Sequence, residues 1–112
     1  MSVIDHNTFN ELKEMSGGEF INELIDTFLE DAPKMIEEIR SAQNTNNADA
    51  FRRAAHSMKS NAATFGAGQL AALAKEMEML GKENKLHETG DRLRALEEAY
   101  VSVCEELKGL KS

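Results

Sequence analysis

The 112-residue sequence has little of what stabilises secreted, membrane or β-sheet proteins. Its single cysteine, Cys104, cannot form a disulfide within the chain, which favours a reducing compartment. No run of about 18 apolar residues could cross a membrane, and the charged N-terminal stretch lacks the apolar core of a secretory signal. One proline and little β-branched alternation argue against strands. We therefore expect a helical, cytoplasmic protein that does not insert into membranes.

The distribution of charge is uneven. The net charge is −7 at pH 7, which argues against general nucleic-acid binding, since that requires a basic surface. Residues 51–75 nevertheless contain four bases and no acid: Arg52, Arg53, Lys59 and Lys75. This basic segment favours an anionic ligand or an acidic partner. The alternative, that these are ordinary charges on a helix surface, remains open at this point.

The spacing of apolar residues predicts five helices, at about residues 6–15, 19–43, 47–65, 67–82 and 86–110. Asp5 is the candidate N-cap of the first helix. Pro33 should either kink the second helix or begin a new one capped by Asp31. We predict an all-α fold, an up-down antiparallel four-helix bundle with a short additional N-terminal helix. The length predicts one domain over residues 1–112.

The third helix places a histidine away from its apolar face. That face is formed by Phe51, Ala55, Met58, Ala62 and Phe65. His56 lies roughly 140° from its centre on a helical wheel. Lys59 and Ser60 follow on the same side one turn away, together with the small residues Ala63 and Ala67. We therefore expect an exposed imidazole that another protein can approach closely.

An exposed imidazole next to an ammonium group can do phosphoryl chemistry. The ring is substantially neutral at pH 7 and can act as a nucleophile, and Lys59 is spaced to stabilise a phosphoryl group bound to His56. The plainer interpretation is a surface histidine without a role. Helix geometry alone does not decide between the two.

Two longer stretches carry a family resemblance. The segment "AHSMKSNAATFGAGQLAALAKEME", with the preceding helix "FINELIDTFLEDAPKMIEEI", resembles histidine-containing phosphotransfer (HPt) domains. The resemblance covers about residues 4–110. The matching positions are His56, Met58, Lys59, Ser60, Gly66, Leu70, Leu73 and Glu78.

The resemblance implies a role for each site residue. His56 would be the phosphoacceptor, and Lys59 would interact with the phosphoryl oxygens. Gly66 would let the third helix end, and Glu78 would orient the ring. The family usually has glycine where this chain has Ser60, which is still small and whose hydroxyl could reach a phosphoryl oxygen.

The implied function is a phosphorelay. The phosphoryl group would pass between His56 and the aspartate of a response-regulator receiver domain, which a hybrid sensor kinase could also supply. The basic side chains of Arg52 and Arg53 would help to attract an acidic partner. Mg²⁺ would come from the receiver, and the chain itself, a monomer, would bind no cofactor and use no ATP. A docking domain that binds receivers without transfer is the alternative.

A metal site is a third possibility that the spacing disfavours. The three histidines, His6, His56 and His87, lie on different segments, and no pair has the Glu-x-x-His spacing of di-iron bundles. We therefore predict no metal site.

Overall fold

The computed structural model describes residues 3–111, which form five α-helices. Helix α1 spans His6–Ser16, α2 spans Gly18–Asn44, α3 spans Ala48–Thr64, α4 spans Gly68–Lys82 and α5 spans Arg92–Leu110. Helices α2 to α5 each contact the next, and α5 returns to α2, while α1 lies against α2 and α3. The all-α four-helix bundle with an additional N-terminal helix is confirmed. No helix within residues 3–111 is long and apolar enough to cross a membrane.

Side-chain caps explain where two helices begin. The Asp5 carboxylate accepts a hydrogen bond from the Asn7 backbone at 3.0 Å, as an N-cap does for the free amides of a first turn. The side chain of Asn47 accepts one from the Ala50 backbone at 3.1 Å at the start of α3. The second cap fixes the register of the helix that carries His56.

The core is built from one apolar face of each helix. In α3 that face consists of Phe51, Ala54, Ala55, Met58 and Ala62, all buried. Phe65, directly after α3, packs edge-to-face on Phe28 of α2, with ring centroids 5.4 Å apart. Cys104 is buried in α5. Since α3 turns this face inwards, its opposite face must meet solvent.

Pro33 lies inside a single helix. The expectation that a new helix begins there with Asp31 as its cap is wrong, because α2 continues over Gly18–Asn44. The Pro33 side chain is exposed, and the buried positions continue on both sides of it with Phe28, Ala32 and Ile36. Burial of this face outweighs the cost of an interior proline, about 3 kcal/mol.

The last helix begins later than the apolar pattern predicts. Instead of starting at residue 86, the chain makes a 3₁₀ turn over Leu86–Glu88 and begins α5 at Arg92. Leu86 is buried, so in the sequence it looks like an apolar position of the helix. Thr89 is buried too, and its hydroxyl donates a hydrogen bond to the Leu86 carbonyl at 2.7 Å. Gly90 then takes a φ of +56°. This local turn, and not a helix, satisfies the backbone here.

Candidate functional site

His56 stands on the exposed side of α3 and faces α4. Its side chain is 55% exposed, which confirms the orientation that the helical wheel predicts. Its Nδ1 atom lies 2.6 Å from Oε2 of Glu78, a residue of α4 that is only 17% exposed. The histidine is therefore open to a partner on one edge and held by a half-buried carboxylate on the other.

This contact determines which ring nitrogen is available. A carboxylate can only accept a hydrogen bond, so Nδ1 must carry the hydrogen and donate it. In the neutral ring the lone pair then resides on Nε2. Nε2 has no hydrogen-bond partner in the part of the chain that the structure describes. The geometry thus leaves Nε2 as the ring nitrogen that a partner can approach.

Glu78 holds a second residue of α3 with its other oxygen. The Lys59 ammonium donates to Oε1 at 2.7 Å, so a single carboxylate bridges the histidine and the lysine. The hydrogen bond from Lys59 is the largest cause that keeps the pKa of Glu78 below its ordinary value. Burial opposes this effect, and the hydrogen bond from His56 adds to it. Glu78 is therefore a carboxylate anion at neutral pH.

Small residues leave the surface beyond the imidazole open. Ser60 and Ala63 are exposed on the same side of α3. Ala67, which the wheel places beside them, is fully buried, and that expectation is wrong. The wheel does not apply there because α3 ends at Thr64 and Gly66, with a φ of +81°, turns the chain. The open surface is therefore confined to α3 itself.

The basic segment is partly neutralised by a residue just outside it. Asp49 pairs with Arg52 at 3.0 Å and with Arg53 at 3.2 Å, both within one turn of helix. These pairs lower the pKa of Asp49, chiefly through the hydrogen bond from Arg52. Asp49 was not among the predicted site residues, although its spacing of three and four residues from the two arginines was the available signal. Lys75 has no ion-pair partner among residues 3–111.

A groove runs between α2 and α3. Arg53 and Ser57 line it from α3, and Lys34, Glu37 and Ser41 line it from α2. The side chains that line the groove carry charges of both signs. His56 does not line the groove.

The other histidines lie elsewhere. His6 contacts Glu106 through Nε2 at 3.0 Å, and His87 is exposed near the start of α5. Within the described residues, no group of three or more His, Cys, Asp or Glu side chains could hold a metal ion.

Comparisons with known proteins concern the family and the fold. The family model described as "Hpt domain" matches residues 23–107. The chain is 28% identical over 88 residues to phosphorelay protein LuxU of Vibrio harveyi, covering 79% of this chain and 77% of LuxU. It is also similar to the crystal structure of histidine-containing phosphotransfer protein B (HptB) from Pseudomonas aeruginosa PAO1. The TM-score is 0.90 at 26% identity, and the match covers 96% of this chain and 93% of that one.

Proposed function

This chain belongs to the Hpt domain family, and from that premise we propose that it relays phosphoryl groups through Nε2 of His56. The observation that carries the proposal is the hydrogen bond from Nδ1 to Glu78, which leaves Nε2 with its lone pair on an exposed surface. A nucleophile held in one tautomer and one orientation needs little reorganisation to react.

The proposed reaction conserves atoms and charge. The Nε2 lone pair attacks the phosphorus of an aspartyl phosphate on the partner, so a P–N bond forms as the P–O bond to the aspartate breaks. The bonding electrons leave with the aspartate, which becomes a carboxylate. The ring keeps the hydrogen on Nδ1 and becomes an imidazolium, and the reverse reaction returns the phosphoryl group.

Glu78 and Lys59 are assigned complementary parts in this step. The carboxylate holds the ring through Nδ1 and stabilises the positive charge that the ring gains, as the aspartate of a catalytic triad does for its histidine. The Lys59 ammonium would turn from Glu78 to the phosphoryl oxygens, where a charge-assisted hydrogen bond is strong. Ser60, one turn beyond His56, can donate its hydroxyl to the same oxygens.

The proposed partner is the receiver domain of a response regulator or of a hybrid sensor kinase. The relatives named as phosphorelay and phosphotransfer proteins support this class of partner. The receiver would supply Mg²⁺ in its acidic pocket, and it would meet this chain in the cytoplasm. The partly exposed Arg52 and the exposed Arg53 would attract that acidic surface. Exposed Ser60 and Ala63 would allow close contact.

A transfer assay with two matched variants tests the proposal. A receiver carrying ³²P is mixed with the native chain, with His56→Gln and with His87→Gln. We expect label on the native chain and on His87→Gln, none on His56→Gln, and a bond that acid breaks and alkali does not, as for a phosphoramidate. Labelling of His56→Gln at the native rate would contradict the assignment.

The same assay tests the docking alternative. Binding of receivers without label transfer to any of the three proteins, all folded, would favour a domain that docks receivers and performs no transfer. Circular dichroism checks that each variant keeps its helical content.

A further inference from the structure

Near the pair formed by His56 and Glu78, a glycine of α4 lies directly against the backbone of α3. A Cβ atom built on Gly81 of α4 would lie 2.9 Å from the backbone nitrogen of Arg52 and 3.0 Å from its Cα. Carbon atoms in ordinary contact stay about 3.5–4.0 Å apart. Backbone atoms cannot swing away as a side chain can. Any larger residue at position 81 would therefore push α4 away from α3.

Local backbone conformation does not explain this glycine. Glycine is a poorer helix former than alanine, and Gly81 lies within α4, outside the left-handed region. The residue with positive φ in the turn that follows α4 is Asn84, at 58°. Gly109 occupies the same penultimate position in α5, yet a Cβ there would meet nothing within 4 Å. The close approach to Arg52 is thus the specific feature of Gly81.

The contact lies one helical turn from the reactive pair on both helices. Glu78 precedes Gly81 by three residues on α4, and His56 follows Arg52 by four residues on α3, so each pair shares a helix face. We propose that Gly81 is a positioning residue, which sets the α3–α4 distance at which one carboxylate reaches both His56 and Lys59. It acts through Glu78 and does not touch the reacting atoms.

The bridge should be sensitive to that distance. Both of its arms are short, 2.6 Å to His56 and 2.7 Å to Lys59. A Cβ at position 81 would open the helices by about 0.5 Å to reach ordinary contact. Because both oxygens of Glu78 are engaged on one neighbouring helix, a rotation that restores one contact lengthens the other. At least one arm should then weaken.

The first experiment reads the imidazole directly and needs no partner. Chains labelled with ¹⁵N, native, Gly81→Ala and Gly109→Ala, are compared by ¹H–¹⁵N correlation of the ring nitrogens at one neutral pH. We expect the ratio of the Nδ1–H to the Nε2–H form of His56 to fall about three- to tenfold in Gly81→Ala, the effect of one weakened hydrogen bond. His6, His87 and the Gly109→Ala chain should not change.

A second variant keeps the proposal testable if Gly81→Ala fails to fold. Glu78→Asp shortens the carboxylate arm by one methylene and leaves the helix spacing alone, so it should produce the same change in the His56 ring. Unchanged His56 signals in a folded Gly81→Ala chain would overturn the proposal. So would unchanged signals in Glu78→Asp, or an equal change in Gly109→Ala.

Gly81 matters for transfer only if His56 is the phosphoacceptor proposed above. In that case Gly81→Ala should lower the transfer rate at saturating receiver, by at most the factor by which the tautomer ratio falls, because the rate follows the fraction of the Nδ1–H form. The receiver concentration for half-maximal rate should stay unchanged, because Gly81 is buried. If the tautomer ratio of His56 changes in Gly81→Ala but no form of the chain transfers phosphoryl groups, the positioning role of Gly81 stands and the proposed function is wrong.

Discussion

The molecule contains two histidine–glutamate pairs that look alike and differ in what surrounds them. His56 with Glu78 and His6 with Glu106 have nearly the same exposure, 55% and 17% against 53% and 22%. His56 uses Nδ1 and leaves Nε2 outwards, whereas His6 uses Nε2. Neither exposure nor a carboxylate partner therefore identifies a reactive histidine.

The two glutamates differ in the partner of their second carboxylate oxygen. Glu78 holds the ammonium of Lys59 at 2.7 Å, while Glu106 accepts from the backbone nitrogen of Val3 at 3.0 Å. Glu78 thus holds the Lys59 ammonium close to the exposed His56 ring. The second ties the N-terminal segment to α5, next to the buried Ile4. We interpret the first as a reactive site and the second as a structural clasp.

The largest effect should come from disturbing the turn at Gly66, against which the N-terminal segment packs. Its φ is +81°, and a Cβ there would lie 2.9 Å from Cβ of Thr8 and 3.0 Å from the carbonyl oxygen of Asp5. Gly66→Ala should therefore lower the free energy of unfolding by about 2–4 kcal/mol, measured by urea denaturation. Transfer by the folded fraction should be unchanged. Gly68→Ala, where a Cβ meets nothing within 4 Å, is the control. Equal stability of the two variants would contradict the close packing of the N-terminal segment on the Gly66 turn.

A smaller effect should follow from removing the lysine that distinguishes the reactive pair. Lys59→Ala deletes one charge-assisted hydrogen bond to the transferred phosphoryl group, so the single-turnover transfer rate should fall about 10- to 100-fold. Lys108→Ala, at the end of α5, controls for the loss of a positive charge. If Lys59→Ala transferred at the native rate, the lysine would have no part in the reaction.

The smallest effect concerns the charge of Glu78 and depends on pH. The pKa of Glu78 is lowered in the folded chain, chiefly by the hydrogen bond from Lys59. The ionised carboxylate therefore stabilises the fold fully above the ordinary carboxyl pKa of about 4.3. This stabilisation is lost as the pH falls through the lower pKa of the folded state. Glu78→Gln should be less stable than the native chain at neutral pH by up to about 1 kcal/mol. The difference should close in acid.

Denaturation of both proteins across that pH range measures the difference. Glu76→Gln, which removes an exposed carboxylate from the same helix, is the control for the loss of one negative charge. A gap between native and Glu78→Gln that persisted undiminished in acid would argue against an ionised bridge.

Much of the site could be predicted from the sequence because it depends on local periodicity. The wheel placed His56 correctly since the apolar face of α3 is regular and lies within one helix. The partnership of Glu78 with His56 spans two helices, and only family resemblance suggested it. The periodicity of one helix cannot predict the distance between α3 and α4, and that distance decides whether the Glu78 carboxylate reaches His56.

The errors occur where tertiary packing or a turn overrides the pattern. Ala67 was misplaced because the helical period ends at Thr64, and the start of α5 was misplaced because Leu86 is buried in a turn. Pro33 remains within α2 because burial on both sides of it outweighs its local cost. In the first two cases a local turn ends the helical period, and in the third the packing of α2 in the bundle decides the outcome.

The most direct test of the central claim is to locate the phosphoryl group on the phosphorylated chain. After transfer from a receiver, ¹⁵N–³¹P coupling identifies the bonded nitrogen, and ¹H–¹⁵N correlation shows which nitrogen keeps its hydrogen. We predict phosphorus on Nε2 of His56, with the hydrogen still on Nδ1. Phosphorus on Nδ1 of His56, or on either nitrogen of His6, would contradict the assignment of the two pairs.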